Sequence, residues 1–126
     1  MKLTVDANAS VNLIRRYSAS ELVVGDVTLR SPCILTADTI VPEWKFASIQ
    51  CLMPDELTSI LILEPDVILL GTGERQIFPA PSLISYCAAR GVALEAMDLG
   101  AACRTFNVLV QENRRVAGAF AIRSEG

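Results

Sequence analysis

Apolar and polar positions along the first half of the chain fall into short runs of strand character. Asn12 to Tyr17 alternates loosely, and Glu21 to Val24 leads through Gly25-Asp26 into Val27 to Leu29. Two short runs joined by a Gly-Asp turn predict a hairpin. Cys33 to Thr36 follows Pro32 as a third run. Thr39 to Val41 before Pro42, and Trp44 to Phe46, give a fourth and a fifth. This half therefore predicts a small antiparallel sheet or half-barrel.

At about residue 54 the period changes. Pro54 to Leu63 reads as a helix with Leu57, Ile60 and Leu61 on one face. Pro54 suits the first turn, Asp55 and Glu56 favour the positive N-terminal end, and Glu64-Pro65 stops it. Asp66 to Leu70 is apolar after its first residue, as expected of a strand covered on both faces, and Gly71-Thr72-Gly73 closes it. Pro81 to Arg90 predicts a second helix, with Leu83, Ile84, Cys87 and Ala88 inward and Gly91 as its stop. Val92 to Ala96 predicts another buried strand. Asp98 is a good N-cap for a helix running to about Glu112, with Leu99, Ala102, Cys103, Phe106 and Leu109-Val110 as its apolar face. Val116 to Ile122 is the last strand. Strands followed by α-β-α-β-α-β predict an α/β fold with helices on both faces of a central sheet, and a parallel crossover from strand 66–70 to strand 92–96. The short connection from Asn113 to Val116 predicts a last strand running against its neighbours.

Composition narrows the function classes. The 126 residues predict one domain, 1–126, with an apolar content of 52% and a mean hydropathy of +0.42 that suit a folded core. Eleven Lys+Arg against 14 Asp+Glu leave a net charge of −3, so no nucleic acid or anionic membrane partner is expected. Histidine is absent from the sequence, which removes Ser-His and Cys-His nucleophile chemistry and the commonest zinc ligand. Cys33, Cys51, Cys87 and Cys103 form no C-x-x-C pair and are expected to be reduced and mostly buried. No metal or cofactor is implied. Met1 to Asp6 has no apolar h-region, an early acid and no early arginine, predicting neither a signal peptide nor a mitochondrial presequence. The apolar stretch Ile60 to Leu70 is interrupted by Glu64-Pro65-Asp66, so no membrane insertion is expected and the expected location is cytoplasmic.

The chemistry-bearing residues gather after the buried strands. Gly71, Thr72, Gly73, Glu74 and Arg75 follow the most buried one, and Asp98 stands just past the carboxyl end of the next. Ligands in open α/β sheets collect at such strand ends, and glycines there let backbone N–H groups approach closely. If the two strands are parallel neighbours, these residues form a cleft with N–H donors, an arginine and a carboxylate, to which Arg104 could add a second cation. The loop lacks the third glycine and immediate helix of a dinucleotide fingerprint and does not match a P-loop, so the simpler reading is a tight turn. Arg104, about two turns in from Asp98, reads rather as a solvated or salt-bridged charge, and Asn107 as a side chain bonding a loop backbone. Gly100-Ala101-Ala102 reads as a close-packing helix end. Trp44, the single tryptophan, reads either as a partly buried anchor or as a contact for a partner. The carboxylates Asp55, Glu56, Glu64 and Asp66 read as helix-end and solvated charges.

Two stretches, Pro65-Asp66-Val67-Ile68-Leu69-Leu70-Gly71-Thr72-Gly73 and Met97-Asp98 with Ala101-Ala102-Cys103-Arg104-Thr105-Phe106-Asn107 and then Gly118, carry a resemblance. In order and spacing the chain resembles the mitochondrial complex I assembly factor 3 family and its prokaryotic conserved-hypothetical relatives of the methanogen type, over roughly Asn12 to Ile122. The resemblance implies a three-layered fold: a central mixed, mostly parallel sheet of about five strands, helices, and an extra N-terminal β layer, with one strand opposed to the rest. It carries over no catalytic residues. Its mitochondrial members look like assembly factors that act by binding proteins. This chain departs from them in lacking a presequence, which implies a prokaryotic cytoplasmic protein.

Three functions fit these residues. The preferred one is a non-enzymatic interaction or assembly-factor-like module with protein partners, exposing an apolar patch around Trp44 and the N-terminal sheet. The second is a small-ligand or anion-binding domain, with catalysis left open, centred on Gly71 to Arg75 with Asp98 and Arg104. The third is a homo-oligomeric structural protein built through exposed N-terminal strands.

Overall fold

In a computed structural model of the chain, residues 11–123 are described. The expectation for Met1 to Asp6 lies outside them. Strands β1 (Ile14–Ser18), β2 (Glu21–Val24) and β3 (Val27–Leu29) form an antiparallel three-stranded sheet, with Gly25-Asp26 turning β2 into β3. Strands β4 (Cys33–Leu35), β5 (Ile40–Val41), β6 (Val67–Gly71), β7 (Ala93–Met97) and β8 (Val116–Phe120) form a second sheet in the order β5-β4-β8-β6-β7. Three helices accompany them: α1 (Thr58–Leu61), entered through a 3₁₀ turn at Pro54–Leu57, α2 (Pro81–Ala88) and α3 (Leu99–Gln111). The α/β class agrees with the residue pattern, and the mixed five-stranded sheet and the N-terminal antiparallel layer agree with what the resemblance implies.

Period-two alternation divides the interior into two cores. In β6, Ile68 and Leu70 face one side and Leu69 the other; in β8, Ala117 and Ala119 oppose Val116 and Phe120; in β4, Ile34 opposes Cys33 and Leu35. One core joins the sheet to α3 and the three-stranded sheet through Phe106, Leu99, Leu22 and Val24. The other joins it to α1 and α2 through Leu57, Ile60, Leu83 and Cys87. Each of these side chains is at most 5% exposed, so each contributes on the order of 1.5–3 kcal/mol of burial.

Several sequence expectations are corrected. The N-terminal strands do not make one sheet. Pro32 has no N–H to continue the β2–β3 ladder, and the chain crosses to pair β4 with β8. Trp44 to Phe46 is not a strand: the Trp44 N–H donates to the Pro32 carbonyl at 2.7 Å, and the two rings stack with centroids 4.2 Å apart. The helix expected over 54–63 is a 3₁₀ turn and one α-turn, closed by Glu64 at φ 58° ahead of Pro65. Strand β8 is parallel to β6, not opposed to it. Helix α3 itself carries the chain back about 20 Å, more than a five-residue strand needs, so the short link does not force reversal. The single opposed strand is β4, antiparallel to both β8 and β5.

Candidate functional site

Strands β6 and β7 are parallel neighbours, and their carboxyl ends meet as the sequence anticipates. The Thr72 N–H donates to the Met97 carbonyl at 2.8 Å, and the Leu99 N–H to the Gly73 carbonyl at 2.7 Å. Thr72 is 6% exposed and its hydroxyl is spent inside the loop. It donates toward the Arg75 carbonyl at 2.6 Å, lies 3.1 Å from the Met97 carbonyl, and accepts the Ile77 N–H at 3.0 Å. Gln76 Nε2 donates to the Ala96 carbonyl at 2.8 Å, so the loop is laced to β7 from two sides. The two glycines serve different needs. A Cβ on Gly71 would meet the Phe120 ring at 3.0 Å and the Ala102 methyl at 3.1 Å, so Gly71 is required by packing. Gly73 has open space around it but a φ of +112°, so it is required by the turn.

Asp98 caps α3, its Oδ1 accepting the Ala101 N–H at 2.9 Å. Gly73, Glu74, Asp98 and Arg104 line one shallow depression of about 280 Å³, together with Tyr17 and Gly100. Gly71, Thr72, Arg75 and Asn107 do not line it; Arg75 supplies only its carbonyl to the loop. Gly100 is small because Tyr17 lies against it: an added Cβ would stand 2.7 Å from the Tyr17 hydroxyl. Close packing here is against a side chain rather than a backbone. Arg104 Nη1 points at the same hydroxyl from 3.4 Å.

Asn107 belongs to a neighbouring groove of about 420 Å³ between α3 and β1. Its amide accepts the Ile14 N–H at 2.8 Å and donates to the Ile14 carbonyl at 2.9 Å. The bond pair falls on the edge strand of the small sheet, beside the register irregularity between Ile14 and Arg16. Arg15 and Arg16 line the same groove with Tyr17 and Arg104. Sequence reading passed over Arg15, Arg16 and Tyr17; the strand run that contains them signals exposure only once its polar face is seen to lie beside α3.

Trp44, the candidate partner contact, is turned inward. It is 4% exposed, and its indole N–H donates to the Glu56 carbonyl at 3.0 Å. It is a packing anchor, and the large exposed apolar side chains include Ile62, Phe78 and Met53 instead. Glu56 is also more than a solvated charge: its carboxylate accepts the Met53 N–H at 2.8 Å and the Ala47 N–H at 3.1 Å, tying the 3₁₀ turn to the preceding loop. Cys33, Cys87 and Cys103 are buried free thiols and Cys51 is exposed. Burial pushes the Cys33 thiol up to about 12. Burial, with a smaller push from neighbouring Cys33 and an opposing pull from Arg104, does the same for Cys103. Such thiols are poor nucleophiles. Among the described residues no group of three or more Cys, Asp or Glu side chains is placed to hold a metal ion, and no helix is long and apolar enough to cross a membrane.

Comparison with known proteins adds the following. The family described as "Protein of unknown function (DUF498/DUF598)" matches residues 14–121. The chain is 33% identical over 104 residues to the "13 kDa major membrane protein" of Francisella tularensis subsp. holarctica, covering 82% of this chain and 85% of that one. It is 33% identical over 115 residues to the NADH dehydrogenase (ubiquinone) 1 alpha subcomplex assembly factor 3 of Bos taurus, covering 90% of this chain and 61% of that relative's length. A Xanthomonas campestris protein solved by NMR superposes with a TM-score of 0.79 at 41% identity, over 88% of this chain and 84% of that one.

Proposed function

The chain belongs to the DUF498/DUF598 family of proteins of unknown function, and from that membership we propose that it is a non-enzymatic interaction module of the assembly-factor kind, working through protein partners in the cytoplasm. The observation that carries this reading is where the polar atoms at the strand ends and along α3 go. The Thr72 hydroxyl, the Asp98 carboxylate and the Asn107 amide all bond the protein's own backbone. Catalysis needs a positioned group free to bind or move a proton. The side chains that reach outward are those that make contacts: Tyr17, Arg15, Arg16 and Arg104 on one face, Phe78 and Ile62 elsewhere. The named assembly factor of Bos taurus supports the same direction.

The test is affinity capture of the tagged chain from its own cells, with soluble and membrane fractions separated, followed by co-migration of the purified pair on size exclusion. A stoichiometric partner that stays bound through the column is expected. Recovery of the chain alone, from both fractions, overturns the reading. Light scattering of the same column peak separates a hetero-complex from a homo-oligomer.

A second reading, ligand binding, is favoured by one observation: Gly73, Glu74, Asp98 and Arg104 do share a depression. Its test is calorimetric titration with inorganic phosphate and with a small dicarboxylate, using wild type and Gly73→Val. Saturable binding lost in a folded Gly73→Val protein supports it; no heat from either titrant removes it.

A further inference from the structure

We propose that the groove between β1 and α3 is a docking channel for an extended, acidic protein segment, with Arg16 and Arg104 as its carboxylate-binding residues and Tyr17 as the apolar contact at its lip. This rests on the interaction-module reading and gives that module a face and a partner chemistry.

The protein carries three more acids than bases, yet three of its eleven cations, Arg15, Arg16 and Arg104, line this one groove. No acid lines it. Among the described residues the ion pairs are Arg30 with Glu21 and Arg115 with Asp66, so no described carboxylate pairs with any of the three. Glu21, across the hairpin from Ser18, is the acid that pairs with Arg30. Asp98 has one oxygen on the α3 cap, and it and Glu74 line the neighbouring depression, which Arg104 and Tyr17 border as well, without forming an ion pair with Arg104.

Hydrogen bonding points the same way. Arg15 spends one N–H on the Gly25 carbonyl at 3.0 Å. Arg104 has only a long side-chain contact to the Tyr17 hydroxyl, and the Arg16 guanidinium makes no hydrogen bond among the described residues. A guanidinium presents its donors as a planar fork matched to a carboxylate, and such charge-assisted pairs are among the stronger hydrogen bonds. Tyr17 stands 43% exposed beside them. Tyrosine and arginine together are the residues that most often dominate protein–protein binding energy.

Shape selects the occupant. An open groove of about 420 Å³ beside the nearly buried Ile14 and Cys103 has room for a few side chains of a partner segment. Its long wall is a strand, beside which an extended segment presents alternate side chains to one face. The Asn107 clamp holds that wall to α3, so the channel is formed before anything enters it.

The experiment titrates fluorescein-labelled hexaglutamate into the isotopically labelled full chain, with hexalysine as control, and follows amide shifts and anisotropy. Saturable hexaglutamate binding is expected, with shifts at Arg15 to Ser18 and Arg104 to Val108 and weakening as salt shortens the Debye length. An Arg16→Ser/Arg104→Ser variant, whose fold is checked by circular dichroism, should bind about tenfold more weakly or worse. No binding, shifts elsewhere, or binding unchanged in the folded variant overturns the proposal. Stronger sedimentation with phosphatidylserine vesicles than binding to hexaglutamate also overturns it, in favour of a membrane surface. Run in the capture assay, the variant separates the two readings. A partner that still co-migrates with it removes the channel and leaves the module, whereas wild type without a partner removes the module itself.

Discussion

Asn107 of α3 holds Ile14 of β1 with both ends of its amide, at 2.8 and 2.9 Å, across 93 residues of sequence. The pair acts as a one-residue stand-in for a neighbouring strand. It satisfies the N–H and C=O of a residue on the edge strand of the small sheet, beside its register irregularity.

Asn107→Ala leaves both backbone groups of Ile14 without a partner in a site that is partly closed to water. A loss of about 1–3 kcal/mol is expected. Hydrogen exchange should speed up in β1 and β2 far more than in β6 and β8. Equal acceleration in both sheets would show that the clamp does not hold the small sheet specifically. Asn107→Asp keeps the acceptor and loses the donor, and should fall between alanine and wild type.

Thr72→Val keeps the shape of the buried side chain and deletes the hydroxyl that three backbone groups share. Destabilisation of about 1–3 kcal/mol is expected, with Thr72→Ser closer to wild type. Urea unfolding followed by the fluorescence of Trp44, the single tryptophan, measures it. A Val variant as stable as wild type would mean that the loop does not depend on the hydroxyl.

Two glycine substitutions should differ for separate reasons. A Cβ on Gly118 would sit 2.5 Å from the Phe120 ring, which packs edge-on to Phe106 with centroids 6.0 Å apart. Gly118→Ala is therefore an overpacking change in the sheet centre, costing about 1–3 kcal/mol or more. Gly73→Ala meets nothing within 4 Å and is strained only by its φ of +112°. Its cost, about 1–3 kcal/mol, should leave the sheet intact. In proton–nitrogen spectra Gly118→Ala should shift resonances in β4, β6 and β8, whereas Gly73→Ala should shift those of 72–77 and the start of α3. The reverse pattern would refute the assignment of causes.

The buried thiols make stability fall in alkali. Cys33 and Cys103 have their pKa values raised by burial from an ordinary 9.0 to about 12. Between those values the unfolded chain has lost protons that the folded one keeps, so stability declines as pH rises. It is unaffected by these groups below about 9 and stops falling from this cause above about 12. Urea midpoints at about pH 8 and about pH 10.5 should differ, and the difference should shrink in Cys33→Ala. A slope unchanged by that substitution would assign it to other groups. In the same protein, native-state labelling with a thiol reagent should modify Cys51 first, because the other three cysteines are buried.

By itself the sequence determined what depends on neighbours within a few residues. The β2–β3 turn at Gly25-Asp26, the Asp98 cap, the stop at Glu64-Pro65 and the apolar stripe of α3 all follow from local backbone preference and one-face periodicity. The closeness of the Gly71-Thr72-Gly73 loop to Asp98 was also legible, because adjacent parallel strands end together. The tertiary structure decided everything that joins distant segments. Residues 33–35 could have extended the hairpin; they pair instead with β8 because Pro32 cannot donate to the old ladder and the apolar edge of β8 is unfilled. Trp44 could have been a surface contact; the hole between Pro32 and the 3₁₀ turn took it inward. Arg15, Arg16 and Arg104 form one cationic channel only because α3 lies along β1. No pattern of period 2 or 3.6 encodes which helix will lie beside which strand, since periodicity fixes the buried face of each element and leaves the choice of partner to the packing of the whole.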